Sequence, residues 1–356
     1  MGKRGSMGGW LPGLICLAGS ETTLKEAFMR TRMTELLGIE HPVMCGGMMW
    51  LALPGLCSAI SNAGGLGNLT AGNYDTGVEL RAAIGETRRL TDKPFCVNIT
   101  LLPSVRITRE LHQEYFDVCC EEGVAALEIS GAPIDRYLGE EAVEKAKKAG
   151  VKLIHKLGSV RHALHAESAG YDAVIAAGIE EGGHPLDDDV TTTVLTPRIS
   201  ESISIPVITA GGIADGRGLA AALVLGGSGV MMASRFIATD ECEANDLIKQ
   251  ELVKRQEFDT TLICRSIKLQ MRCLKNEIAG KVLQVEAGNG TLEDILPFMI
   301  GSRSKEAWIT GDVEMAPLAV GQSIGLIKDV LPCAELLQRM ASQAESTLAG
   351  AGKFDL

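Results

Sequence analysis

From Met33 onward, short apolar runs of the kind that fill buried strands alternate with amphipathic stretches of helical period, and that alternation predicts parallel strands joined by crossover helices. The spacing predicts strands over 42–47, 66–70, 94–101, 126–130, 152–156, 172–176, 206–210 and 229–233. Helices are expected between them, near 53–62, 78–90, 108–122, 160–169 and 218–225, with Ser159 capping the fourth and Gly170 stopping it. Eight β-then-α units in roughly 200 residues predict an α/β protein built as a (β/α)8 TIM barrel rather than an open doubly wound sheet. After Phe236 the pattern changes: 241–279 reads as long, charged helices without strands, and a glycine-rich stretch leads to Val320. The last barrel helix is expected at 324–347. The predicted organisation is therefore an N-terminal extension over 1–32, a barrel formed by 33–239 and 320–356, and a smaller, mostly helical second domain over 240–319 beside the barrel mouth.

Composition supports a large buried core. Hydrophobic residues make up 46% of the 356 positions and charged residues 22%, whereas aromatics are only 4% and there are 41 glycines, as suits many tight strand-to-helix turns. The net charge of −11 disfavours phosphate backbones and anionic membranes as partners, because both would be repelled over most of the surface. No apolar run approaches the ~20 residues needed to span a bilayer. The ten cysteines form no C-x-x-C pair, and the adjacent Cys119 and Cys120 do not have zinc-ligand spacing, so the reading is a reducing cytoplasm with no metal. Lys3 and Arg4 ahead of the apolar stretch 10–18 have the outline of a signal peptide, which glycines and Pro12 weaken. Residues 1–32 are left out of the fold argument.

The candidate chemistry lies at strand ends. The seventh strand runs into Ala210-Gly211-Gly212 and the eighth into Ala233-Ser234-Arg235-Phe236. In barrels, the loops at these two positions often bind phosphate through backbone N–H groups and a helix N-terminus. The stretch Glu181-Gly182-Gly183-His184-Pro185 follows strand six and places an imidazole on a glycine-rich loop at the catalytic face, where a near-neutral pKa suits proton transfer. Lys156 ends strand five, placed either to meet negative charge or a flavin ring edge or to make a salt bridge. Asn98 near the end of strand three either hydrogen-bonds a heterocycle or caps a loop, and Gly46, Gly47 and Met48 close strand one with little bulk. His162 and His165, three apart on a helix with no third ligand evident, read as surface histidines. The run Asp187 to Asp189 reads as a solvated loop, and Cys45 as a small buried hydrophobe.

Glu-Gly-Gly-His at 181–184, Ala-Gly-Gly-Ile-Ala-Asp-Gly-Arg-Gly at 210–218 and Gly-Val-Met-Met-Ala-Ser-Arg-Phe at 229–236 together resemble the nitronate monooxygenase family, formerly called 2-nitropropane dioxygenase. The similarity runs in order from Met33 to Thr347 and includes Asn-Ala-Gly-Gly-Leu-Gly at 62–67 and Gly-Gln at 321–322. It implies FMN, with the phosphate at Gly211, Gly212, Ala233 and Ser234 and the ring near Gly46, Gly47, Met48, Asn98, Lys156 and Gly183; Gly182 and Ala210 belong to the same cofactor set. It also implies His184 as the catalytic histidine, and oxidation of alkyl nitronates by O2 to carbonyl compounds and nitrite. Two positions depart from the common pattern: Ala233-Ser234 stands where many relatives have Gly-Thr, and Pro185-Leu186 follows the histidine. An FMN-dependent NAD(P)H reductase of quinones or enoyl thioesters, and a flavin-binding barrel without turnover, are the alternatives, since fold and cofactor do not fix a substrate. Small-molecule substrate and O2 are the expected partners, with no nucleic acid and no membrane, and a homo-oligomer is left open.

Overall fold

The computed structural model describes residues 29–351 except Val105 and Asp187; most of the extension assigned to 1–32 lies outside the described residues. Eight parallel strands follow one another as expected: β1 (Val43–Cys45), β2 (Gly67–Thr70), β3 (Phe95–Leu101), β4 (Ala126–Gly131), β5 (Lys152–Leu157), β6 (Ala173–Ala177), β7 (Val207–Ala210) and β8 (Gly229–Met232). From β2 to β8 each strand pairs with the next in sequence, and β8 pairs with β1. A parallel bridge between Met44 and Leu66 closes the circle, with Cys45 N–H donating to Leu66 at 3.0 Å and Leu66 N–H to Val43 at 2.9 Å. The architecture is the (β/α)8 barrel.

Period-two alternation explains which residues face inward. Met44, Leu66, Cys96, Ala126, Ile154, Ile175, Ile208 and Met231, one from each strand or its start, form a buried cluster inside the barrel. Met33 and Leu37 of the helix Arg32–Leu37, capped by Thr31, join this cluster and plug one end. Between strands and outer helices lie two larger clusters, and the helix Cys333–Ala351 packs on Gly216–Val224 to complete the outer ring. That last helix starts at Cys333 rather than 324, because 322–326 forms a 3-10 turn.

The segment after β8 departs from expectation. It is helical at Asp246–Lys254, Glu277–Ala287, Leu292–Ile295 and Gly301–Thr310, but between the first two runs an antiparallel hairpin, β9 (Thr260–Ile263) and β10 (Met271–Leu274). The Thr-Thr-Leu-Ile and Met-Arg-Cys-Leu runs carry β-branched and apolar residues that pair across the hairpin, and charges on either side hide that signal from a search for helical period. Ile263, Cys264, Cys273, Ala279, Val282 and Ile295 give the segment a small core of its own.

Candidate active site

One layer above the inner apolar one, the barrel interior turns polar. Asn68, Asn98, Glu128 and Lys156 each stand two residues beyond Leu66, Cys96, Ala126 and Ile154, and therefore on the same face of their strands. Asn98 Nδ2 donates to Glu128 Oε2 at 2.7 Å and Asn68 Nδ2 to the same oxygen at 3.3 Å, while the Ser130 hydroxyl donates to Glu128 Oε1. Glu128 is 1% exposed, so these donors are what keep a carboxylate tolerable there.

Above this layer a cavity of about 330 Å³ opens at the C-terminal ends of the strands. Gly46, Gly47, Asn98, Lys156, Gly182, Gly183, His184, Ala210, Gly211, Gly212, Ala233 and Ser234 all line it. Of the residues singled out from sequence, Met48 is the one the structure places elsewhere: its side chain is buried in the apolar cluster between β1 and the outer helices, and its N–H donates to Thr70 Oγ1 at 2.9 Å. His162 and His165, read as surface histidines, line the cavity as well. The helix Val160–Ala169 begins at the barrel rim, which puts its first turns beside the opening. Cys45 is fully buried, as expected.

Missed by sequence reasoning were Glu128, Glu181, His155 and Gln270, all lining the cavity. Lys156 Nζ contacts both Glu181 oxygens, at 3.1 and 3.2 Å. Burial opposes the ammonium charge, but Glu181 and then Glu128 outweigh it and hold the Lys156 pKa above its ordinary value. Burial raises the Glu181 pKa despite Lys156. His184 is exposed by surface area yet surrounded by protein, because its open side faces the solvent of the cavity. That enclosure, together with the Lys156 charge, pushes its pKa down to about 4, so the imidazole is neutral near pH 7. The hairpin holds the His184 loop from above: Gly183 N–H donates to the Arg272 carbonyl at 3.0 Å, and Arg272 N–H to that of Gly183 at 2.6 Å.

The lining suits a phosphorylated, flat heterocycle. Gly183, Gly211 and Gly212 have φ of 86°, 95° and 75°, which glycine adopts at little cost. Among the described residues, the Gly211, Gly212 and Ser234 amide N–H groups have no protein acceptor, which leaves them for an anion. Ser234 Oγ accepts from Gly321 N–H at 2.9 Å, tying this rim to the chain's return into the barrel. Gly47 lies so close to Asn98 that a Cβ would sit 2.4 Å from its Cγ, so a flat surface is kept there by necessity.

Residues 30–343 match the nitronate monooxygenase family. The chain belongs to that family. It is therefore an oxidoreductase of a flavin-dependent class. It is 34% identical over 352 residues to the (3aS,4S,5R,7aS)-5-hydroxy-7a-methyl-1-oxo-octahydro-1H-indene-4-carboxyl-CoA dehydrogenase of Rhodococcus jostii, covering 89% of this chain and 96% of that one. A probable nitronate monooxygenase of Staphylococcus saprophyticus is 30% identical, over 90% of this chain and 99% of its own. Among solved structures, FabK from Thermotoga maritima superposes with a TM-score of 0.83 at 37% identity, covering 91% and 98% of the two chains. Nitroalkane oxidase from Streptomyces ansochromogenes gives 0.76 at 25%, covering 90% and 100%. Among the described residues no helix is long and apolar enough to cross a membrane, and no cluster of side chains could hold a metal.

Proposed function

We propose that this protein is an FMN-dependent oxidoreductase in which His184 takes a proton from carbon, and that alkyl nitronates and their parent nitroalkanes are oxidised by O2 to carbonyl compounds and nitrite. The observation that carries the reading is a neutral imidazole and a buried ammonium, His184 and Lys156, facing one cavity whose glycine rims suit a phosphate. Amides of Gly211, Gly212 and Ser234, with Ala210 and Ala233 beside them, would hold the FMN phosphate, and Gly46, Gly47, Asn98, Lys156, Gly182 and Gly183 would border the ring. FMN, when bound, supplies the electron acceptor. With its pKa near 4, His184 is unprotonated over most of the working range and can accept the proton that acidifies beside a nitro group. Lys156 would offset negative charge as it develops on the substrate's oxygens, a role that Glu181 supports by keeping the amine protonated.

A second reading, oxidoreduction of an acyl thioester with or without NAD(P)H, is favoured by the 34% identity to a protein named as a carboxyl-CoA dehydrogenase. A thioester also acidifies its neighbouring carbon, so the same base serves both. The test mixes the FMN-loaded protein, without oxygen, with NADH, with NADPH and with an alkyl nitronate in separate cells. Bleaching by a nucleotide supports the thioester or quinone reductase; a spectral change with nitronate alone supports the oxidase chemistry. His184→Asn should keep its FMN and lose turnover of neutral nitroalkane by about 10²- to 10⁴-fold, and unchanged turnover removes the base role.

A further inference from the structure

Pro185-Leu186 is one of the two places where this chain departs from the common pattern of its family, and the proposed proton transfer makes no use of it. The Leu186 side chain lies on the end of β5, where Gly158 makes room for it: a Cβ on Gly158 would come within 2.8 Å of Leu186 Cδ1. Its backbone is held, because the Leu186 carbonyl accepts from Gln270 Nε2. Leu186 lines the cavity yet remains 40% exposed, so an entering molecule can touch it. Leu269, in the loop joining β9 to β10, lines the same cavity and is 36% exposed. Half-buried Leu102 and Pro133, just beyond the ends of β3 and β4, add to this apolar border. In a closed ring of eight strands β4 lies opposite β8, so the border stands across the opening from the glycine rims, and a phosphate at those rims does not account for it. Single exposed leucines are ordinary on any surface. Apolar side chains from four separate loops, converging on the cavity that holds His184, form a surface that is unfavourable in water and gains when an apolar group covers it.

We propose that Leu186 and Leu269 are specificity-determining residues, and that the reacting molecule carries a hydrocarbon body of several carbons that lies against them. Nitroethane has no such body; a long-chain or alicyclic nitronate has one, and so has the acyl part of a thioester. The occupant is the substrate itself, because the leucines and His184 line one continuous cavity. The inference rests on reading that cavity as the active site, and on nothing about which of the two proposed reactions takes place there.

Straight-chain sodium carboxylates from propionate to nonanoate serve as probes, because a carboxylate is planar, carries two oxygens and one negative charge like a nitronate, and does not react. Dissociation constants are read from changes in the flavin absorbance of the FMN-loaded protein, so that only ligands in the cavity are counted. In the wild-type protein affinity should rise by about two- to fourfold per added methylene over successive members of the series, the factor expected when each is withdrawn from water. Leu186→Ser combined with Leu269→Ser should reduce that rise to below about 1.5-fold per methylene. The readout is the slope within one protein, so a general loss of affinity does not imitate the result, and the single variants carry the comparison if the double variant loses FMN. A flat wild-type series, no flavin change with any carboxylate, or a slope that survives the substitutions overturns the proposal. The matching alkyl nitronates, offered in air, separate this inference from the reaction beneath it. A carboxylate slope with no nitronate consumed refutes the oxidation and leaves the apolar border standing; nitronates consumed with a KM independent of chain length do the reverse.

Discussion

The pair Lys156–Glu181 allows a prediction that joins stability to chemistry. Its two contacts, at 3.1 and 3.2 Å, are bordered by protein, with side-chain exposures of 16% and 9%. At an effective dielectric of about 20, opposite charges at that separation attract by about 5 kcal/mol, and removing one partner of a buried pair costs about 3 kcal/mol because the other is left uncompensated. Glu128 also holds Lys156, so Glu181→Gln should fall at the lower end of that cost. Lys156→Met leaves Glu181 buried, raised further in pKa, and able to escape its charge by taking a proton. Urea unfolding of both single variants and the double variant is the assay, and the double should fall short of the summed losses by about 2 kcal/mol. The same Lys156→Met change removes one of the two causes that depress His184, so the acid limb of its pH–rate profile should move up from about pH 4. Additive losses below about 1 kcal/mol, with an unmoved acid limb, would show that the pair neither stabilises the fold nor tunes the imidazole.

Two further outcomes follow from particular contacts. Gly47→Ala would force a Cβ to 2.4 Å from Asn98 Cγ, and Asn98 cannot retreat while Glu128 holds it at 2.7 Å; FMN affinity should fall by at least about tenfold, measured by fluorescence titration, with thermal stability reduced by roughly 1–3 kcal/mol. His155, 3% exposed and with its Nδ1–H donating to the Ile129 carbonyl at 3.1 Å, has its pKa lowered to about 4 by burial. Because the unfolded chain binds that proton more readily, stability is full above pH 6.5 and is lost as the pH falls toward 4, by about 2 kcal/mol at pH 5; His155→Phe should flatten this slope in unfolding curves taken from pH 7 to 5.

Most of the barrel was legible because each strand announces itself locally: β6, β7 and β8 are short apolar runs bounded by glycine or proline, and all eight strands fall where the alternation puts them. The glycine rims and His184 were legible for the same reason, since Gly-Gly-His and Ala-Gly-Gly lie at the C-terminal ends of strands. What sequence could not show directly was which distant residues share a layer. Glu128 is a lone acid within an apolar strand, yet it stands two residues beyond inward-facing Ala126, and a consistent period-two reading puts it beside Asn98, which stands two beyond Cys96. Gln270 and Arg272 carry no such signal. Their place over the cavity depends on a hairpin whose partner, Gly183, is 89 positions before Arg272, as its 93-residue separation from Ile179 also indicates.

That long-range pairing also bears on how the segment after β8 contributes. A loop that merely covered a finished site could be exchanged without moving the residues beneath it, but here the hairpin supplies hydrogen bonds that the His184 loop does not satisfy within itself. Gly183 exchanges both backbone bonds with Arg272, the Arg272 Nε donates to the Ile179 carbonyl at 2.9 Å, and Gln270 takes the carbonyls of Pro185 and Leu186. On the other side a Cβ on Gly182 would come within 2.6 Å of Val320 and Gly321 backbone atoms, so the loop is pressed against the chain as it re-enters the barrel. The position of His184 is therefore fixed between the hairpin and the 320–321 turn rather than by β6 alone. The barrel provides the charged floor of Glu128 and Lys156, and the segment after β8 decides where the base stands above it.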